Sequence, residues 1–271
     1  MTNEIVIVEP RGAVLEITLN RPPANAINRA TSRALYAAFK RLQDDPALSV
    51  GIVRGAGERI FSAGWDLKEV ADAGYDPALE LDAEHGNGPG GFAGNTEYWG
   101  LTKPLVAAIN GAAVGGGFEL ALACDVMVMS SNAFFALPEM QRGLLADAGA
   151  IQRLPRRIPY NVAVEFLLSG RRMEPDEALR WGLVSEVASP DRLMEVVRAT
   201  ADSIAQGAPL ALQALKEVLL HIESMPLPEA MNTIKPGHDN LPAYRRMMAS
   251  EDMVEGITAF AEKRIPVWKA C

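Results

Sequence analysis

The sequence predicts an α/β fold in one main domain, followed by a helical region. Three observations predict it. Strand-like and helix-like segments alternate through most of the 271 residues, the pattern of a chain built from repeating strand–helix units. Two strand-to-helix junctions are made of glycine and other small residues. Beyond about Pro190 the strand signal stops and only amphipathic helices remain. We place the core at 1–195 and the helical region at 196–271.

The elements follow in order. "IVIVEPRGAVLEITLNRP" reads as two short strands with a turn at Pro10-Arg11-Gly12. The alternation in Val14 to Leu19 suits a half-buried strand. Asn28 to Gln43 is helix-like, because Ala34, Leu35, Ala38, Phe39 and Leu42 form one apolar stripe. "SVGIVRGAG" is a strand ending at glycines, and "FSAGWDL" is a loop entering a helix. "KPLVAAINGAAVGGGFELALACDVMVMS" reads strand, turn, helix, strand. Between Asp76 and Thr96 the pattern fails in a glycine-rich insertion, which reads as a lid or a disordered loop. Glycines at 86–94 suit a lid that closes over a ligand. "DRLMEVVRATADSIAQ", "PLALQALKEVLLHIES" and "EDMVEGITAFAEKR" are the later helices.

Composition narrows the function. The net charge of -8 is a poor match to nucleic acid. The most apolar stretch, Leu105 to Met129, is interrupted by Asn110, Glu119 and Asp125, so it does not read as a membrane span. No basic stretch followed by an apolar run opens the sequence, so a cytoplasmic enzyme is expected. Cys124 and Cys271 have no metal or redox spacing. His85, His221 and His238 lack ligand spacing too, and no metal or redox cofactor is expected.

The chemistry centres on "VGGGFELALACD", where three glycines precede a lone carboxylate, Glu119, in an apolar segment. The glycines do not make a phosphate loop: no Lys-Ser or Lys-Thr follows, and Leu120 holds the last position of the G-x-G-x-x-G spacing. Two readings stay open. Glycine lets a helix pack close against a strand. It also leaves helix N-terminal N–H groups accessible to a ligand oxygen, as an oxyanion site needs. "FSAGWDL" offers a second donor. Glu139, in "FALPEMQRGLLADAG", is a second carboxylate. Two carboxylates facing a polarised carbonyl suit acid–base chemistry at its α- and β-carbons.

These three segments are similar to the three signatures of the crotonase (enoyl-CoA hydratase/isomerase) family. The likeness runs from "ITLNRPPANAIN" to "EGITAFAEKRIPVWK". Within the family, "FSAGWDLKE", "GPGGFAG", "SGRRMEPDEALRWGLV" and "AFAEKRIPVWK" resemble the carnitinyl-CoA dehydratase branch. The resemblance implies a ClpP/crotonase-like spiral of ββα units with a helical C-terminal region that forms trimers or paired trimers. It implies reversible addition of water to a 2-enoyl-CoA, with coenzyme A entering as part of the substrate. It also implies that the N–H groups of Ala63 and Gly116 hold the thioester oxygen, with Glu119 and Glu139 as the catalytic carboxylates. Ala24, Ala26, Gly64, Trp65, Asp66 and Leu67 would lie along the CoA moiety. Phe260 and Lys263 would approach it from the C-terminal helix, often that of the next subunit.

The chain departs from ordinary enoyl-CoA hydratases at Asp147, where they usually carry glycine. Asp147 either caps the helix opening at "AGAIQRL" or lies near the acyl tail and favours a cationic group. Trp65, Phe92, Tyr98 and Trp99 are candidates for cation–π contacts or for packing. Competing functions are a general 2-enoyl-CoA hydratase or isomerase of fatty-acid degradation, and a non-catalytic or RNA-binding relative. The two retained glutamates and the acidic charge argue against the last.

Overall fold

The computed structural model describes residues 4–74, 86–235 and 240–271. Strands β1 (Val6–Arg11) and β2 (Val14–Leu19) form the predicted hairpin, turning at Gly12. Helix α1 (Arg29–Asp44) is capped by the Asn28 side chain, which accepts from the Thr31 N–H. Strands β3 (Val50–Gly55) and β4 (Ile60–Ser62) lead to helix α2 (Leu67–Ala73). Strands β5 (Leu105–Ile109) and β6 (Ala112–Val114) lead to helix α3 (Gly116–Leu122). Strands β7 (Val126–Ser130) and β8 (Phe135–Ala136) lead to a 3-10 turn at Pro138–Arg142. Helices α4 (Ala150–Arg157), α5 (Tyr160–Ser169) and α6 (Pro175–Arg180) follow, with short strands β9 (Arg172–Met173) and β10 (Glu186–Ala188). The remaining helices are α7 (Leu193–Ala205), α8 (Pro209–Ile222), α9 (Leu227–Asn232), α10 (Pro242–Met248) and α11 (Glu251–Glu262).

Each turn of the chain contributes one strand to each of two sheets. The larger sheet has the order β1-β2-β3-β5-β7-β10 and the smaller β4-β6-β8-β9. Alternate residues of the large sheet point to opposite faces. Leu15, Ile17, Leu105, Ala107, Ile109, Met127 and Met129 face a core shared with α1 and α3. Val14, Val50, Ile52, Val106, Ala108 and Val128 face Leu193, Val197 and Ala201 of α7. Helix α7 therefore packs on the sheet as part of the core, and α8 also reaches the core through Lys216, which donates to Asp125 at 2.8 Å and to the Lys103 carbonyl at 3.1 Å. Buried Glu16 of β2 reinforces the α7 contact, accepting from Arg198 at 2.7 and 2.9 Å and from Arg11 at 3.3 Å.

The sequence reading missed β6. Its three residues in "NGAAVGGG" are too short to show a period of two. The omission matters to function: β4, β6 and β8 pair in parallel as neighbours. Their C-terminal ends bring "FSAGWDL", "VGGGFE" and "ALPE" side by side.

Candidate active site

The three strand ends enclose a cavity of about 530 Å³ lined by, among others, Ala63, Trp65, Gly115, Gly116, Glu119 and Glu139. The glycines divide their work. A Cβ on Gly117 would collide with the Ser62 carbonyl oxygen, so this glycine lets α3 settle on the end of β4. Gly115 has φ +54, and a Cβ there would stand 2.5 Å from Glu139 Oε1. Gly116 faces the cavity, where its missing side chain leaves room for the Phe92 ring. The packing reading holds at Gly117.

The second turn meets the first directly. Gly64 has φ +81, and a Cβ on it would lie 2.6 Å from the Gly116 nitrogen. The Ala63 N–H, expected to hold the thioester oxygen, is committed elsewhere: it donates to the Ala24 carbonyl at 3.0 Å. The strand-like pairing of this turn explains why. Ile27 donates to the Gly64 carbonyl at 2.7 Å and accepts from the Asp66 N–H at 3.0 Å, in a parallel bridge with Trp65. In such a bridge the N–H of the bridged residue points to the opposite side. That side holds Gly116, whose Cβ would come 3.4 Å from the Trp65 nitrogen. The motif was legible in the sequence, but the Ala63 N–H is engaged within the chain, and the bridge turns the N–H of Trp65 to the Gly116 side.

Glu119 is 4% exposed, and its Oε1 accepts from the Ala150 N–H at 3.0 Å. The carboxylate thus sits at the N-terminus of α4, where the helix dipole favours negative charge. Burial nevertheless pushes its pKa up to about 7; the Ala150 amide opposes the rise, while Glu139 and Asp147 add to it. Burial also raises Glu139 above the ordinary carboxylate range, and Arg142 opposes that rise. Glu139 Oε2 is buried with no hydrogen-bond partner among the described residues. A buried polar atom left unmatched in this way is costly and marks a place where a ligand atom is received.

Other expected residues sort themselves by position. Trp65 and Leu67 line the cavity, whereas Ala24, Ala26, Gly64 and Asp66 do not. The Ala26 carbonyl accepts from Arg21 at 3.1 Å. Asp66 caps α2 and pairs with Arg21 at 2.6 Å. Phe260 is 88% exposed and Lys263 ends α11; the chain by itself brings neither to the cavity. Asp147 does not cap α4. The cap position is Gly149 with no side-chain bond, and the amide that Asp147 was expected to engage is served by Glu119. Asp147 lines the cavity instead. His221 lies in the last turn of α8, while His85 and His238 fall outside the described residues.

Of the proposed lid, residues 76–85 lie outside the described set. Residues 86–96 form a wall docked on α1. Arg33 donates to the Gly86 carbonyl at 2.9 and 3.1 Å, and the Ala93 N–H donates to Ser32 at 3.1 Å. The aromatics do not form one cage: Tyr98 packs on Tyr36 at 5.0 Å, and Trp99 carries Arg153 at 5.7 Å. The sequence reading missed the lining residues Glu97 and Arg142: Glu97 lies outside the motifs, and Arg142, inside "FALPEMQRGLLADAG", was passed over for the carboxylates.

Residues 9–270 match the enoyl-CoA hydratase/isomerase family. The chain belongs to that family. It is 51% identical to a carnitinyl-CoA dehydratase of Proteus mirabilis, over 96% of each chain. It is 50% identical to a carnitinyl-CoA dehydratase of Salmonella typhi, over 95% of each. The crystal structure of an enoyl-CoA hydratase from Mycobacterium tuberculosis superposes with a TM-score of 0.86 at 37% identity, covering 98% of this chain and 99% of that one. The crotonase-like fold therefore follows from the family and from the two-sheet spiral together. Among the described residues no helix is long and apolar enough to cross a membrane.

Proposed function

We propose that the protein adds water reversibly to a 2-enoyl-CoA thioester, with crotonobetainyl-CoA and carnitinyl-CoA as its substrate pair. The observation that carries the proposal is the pair Glu119 and Glu139, the first buried and the second half-buried, both lining the cavity beside the Gly116 turn. The two half-identical carnitinyl-CoA dehydratases support the choice of acyl group.

In hydration, the N–H groups of Gly116 and Trp65 hold the thioester oxygen. Glu119 takes a proton from water as the water oxygen bonds to Cβ. The π electrons move toward the thioester, and the resulting enolate is held by the two donors, each worth about 3 kcal/mol in a dry site. Glu139 then gives its proton to Cα. Dehydration runs the same steps backward, with Glu119 protonating the departing hydroxide. One carboxyl must be ionised and the other protonated; Glu119, pushed up to about 7, and Glu139, also raised by burial, can exchange these states in the two directions. Coenzyme A enters with the substrate. Phe260 and Lys263 meet it from a neighbouring subunit of a trimer, or of a pair of trimers.

The test is steady-state turnover of crotonobetainyl-CoA and crotonyl-CoA by the wild type, Glu119→Gln and Glu139→Gln. We expect each variant to lose about 10²–10⁴-fold in kcat, and the wild type to prefer crotonobetainyl-CoA by about tenfold or more in kcat/KM. A preference for crotonyl-CoA would make the enzyme a general enoyl-CoA hydratase. Full activity in either variant would overturn the two-carboxyl mechanism.

A further inference from the structure

A second cavity, of about 1120 Å³, adjoins the first. Among the described residues only Glu97, Asp147 and Ala148 belong to both walls. Where the catalytic cavity opens onto the larger one, the polar groups are thus two carboxylates. We infer that Glu97 and Asp147 form the binding site for a quaternary ammonium group at the far end of the acyl chain. The inference rests on the substrate reading above and assigns the residues that select that substrate.

Charge supports it. The described lining of the catalytic cavity holds four carboxyls, Glu97, Glu119, Glu139 and Asp147, against one guanidinium, Arg142. Asp147 lines the same cavity as Glu119 and Glu139. An ammonium one carbon beyond Cβ falls in that cavity. Arg153 lines the larger cavity only, donating to the Thr96 carbonyl at 2.6 Å and lying over the Trp99 ring; it offsets part of the negative charge of Glu97 and Glu119.

The chemistry leaves the task to carboxylates and to the rings that line the catalytic cavity, Trp65 and Phe92. A trimethylammonium group has no N–H to donate, so it is recognised by field and by contact with aromatic faces. The faces of Tyr98 and Trp99 are engaged by Tyr36 and Arg153. A third group on the same wall is independent of these charges. Asn95, two residues before Glu97 and lining the larger cavity, is 6% exposed, and neither its amide oxygen nor its nitrogen has a hydrogen-bond partner among the described residues. An amide oxygen without a donor keeps a partial negative charge that a cation lacking N–H groups can still meet.

The experiment compares crotonobetainyl-CoA with its uncharged isostere, 5,5-dimethylhex-2-enoyl-CoA, which has the same shape with carbon in place of the ammonium nitrogen. The readout is the ratio of kcat/KM for the two substrates, in the wild type, Glu97→Gln, Asp147→Asn and the double variant. A ratio cancels any general loss of folded enzyme. We expect it to fall about fivefold or more in each single variant and further in the double. Binding of γ-butyrobetainyl-CoA, which has no double bond to hydrate, should weaken with added salt more steeply in the wild type than in the double variant. A wild-type preference for the cation that survives both substitutions would overturn the assignment to Glu97 and Asp147 while leaving the substrate reading intact. No wild-type preference over the isostere would overturn both, and turnover of the isostere would still leave a hydratase.

Discussion

The floor of the catalytic cavity and the C-terminal arm are built to opposite standards. On the floor, Gly64, Gly116 and Gly117 have no room for a methyl group, because backbone or ring atoms fill the space. On the arm, Val254, Ile257 and Phe260 of α11 are 66%, 66% and 88% exposed, and Ile265 and Val267 beyond it are also exposed. The floor is complete within one chain, whereas the arm leaves an apolar surface of the kind that marks a protein–protein contact. The close contacts of the floor are therefore a property of the single chain, whereas the arm's apolar side chains have no such cover within it.

Substitutions can break or sharpen this contrast. The largest effect is expected from Gly117→Ala. Its methyl meets the Ser62 carbonyl, which cannot yield without moving β4, so urea unfolding should show a loss of about 3 kcal/mol together with lost turnover. An unchanged midpoint would mean that the floor is looser than its contacts require.

Glu119→Gln should reverse the usual sign. The folded-state pKa of Glu119 is raised by burial to about 7, above the ordinary glutamate value. A carboxyl raised in this way imposes no penalty below the unfolded value, and its penalty grows as pH rises toward the folded one. The substitution should therefore stabilise the protein by up to about 3 kcal/mol at pH 8 and by little at pH 4.5. Thermal melts at the two values would show it, and equal shifts would remove the charge as the cause.

The arm should tolerate what the floor does not. Gly256 lies within α11, where a Cβ would meet only the Trp268 ring at 3.4 Å. Gly256→Ala should stabilise the chain by about 0.5–1 kcal/mol through helix propensity, read as a higher melting temperature. Phe260→Ser should change the folding of the chain itself by less than about 0.5 kcal/mol. It should still lower the sedimenting mass if α11 is the contact surface.

Much of the site was legible because its motifs are local. The glycine run, "FSAGWDL" and the two glutamates are recognisable as residues in order. The true direction of each backbone donor was not. Ala63 and Trp65 sit two apart in one motif, and only the bridge to Ile27 decides which N–H faces Gly116. Asp147 looked like a helix cap because aspartate before "AGAIQRL" fits that role. Glu119, thirty-one positions upstream of Ala150, occupies it instead.

The sequence by itself determined the alternation of strands and helices, the change to helices alone, and the presence of two carboxyls beside small-residue turns. These depend on periodicity and on residue type over short spans. The tertiary structure decided that three short strands lie side by side, that the Ala63 N–H is taken by Ala24 while the bridge at Trp65 turns its N–H toward Gly116, and that Glu97 and Asp147 line both cavities. Those are contacts between segments tens of residues apart, and no local pattern encodes the direction in which a backbone N–H or a carboxylate points once the segments meet.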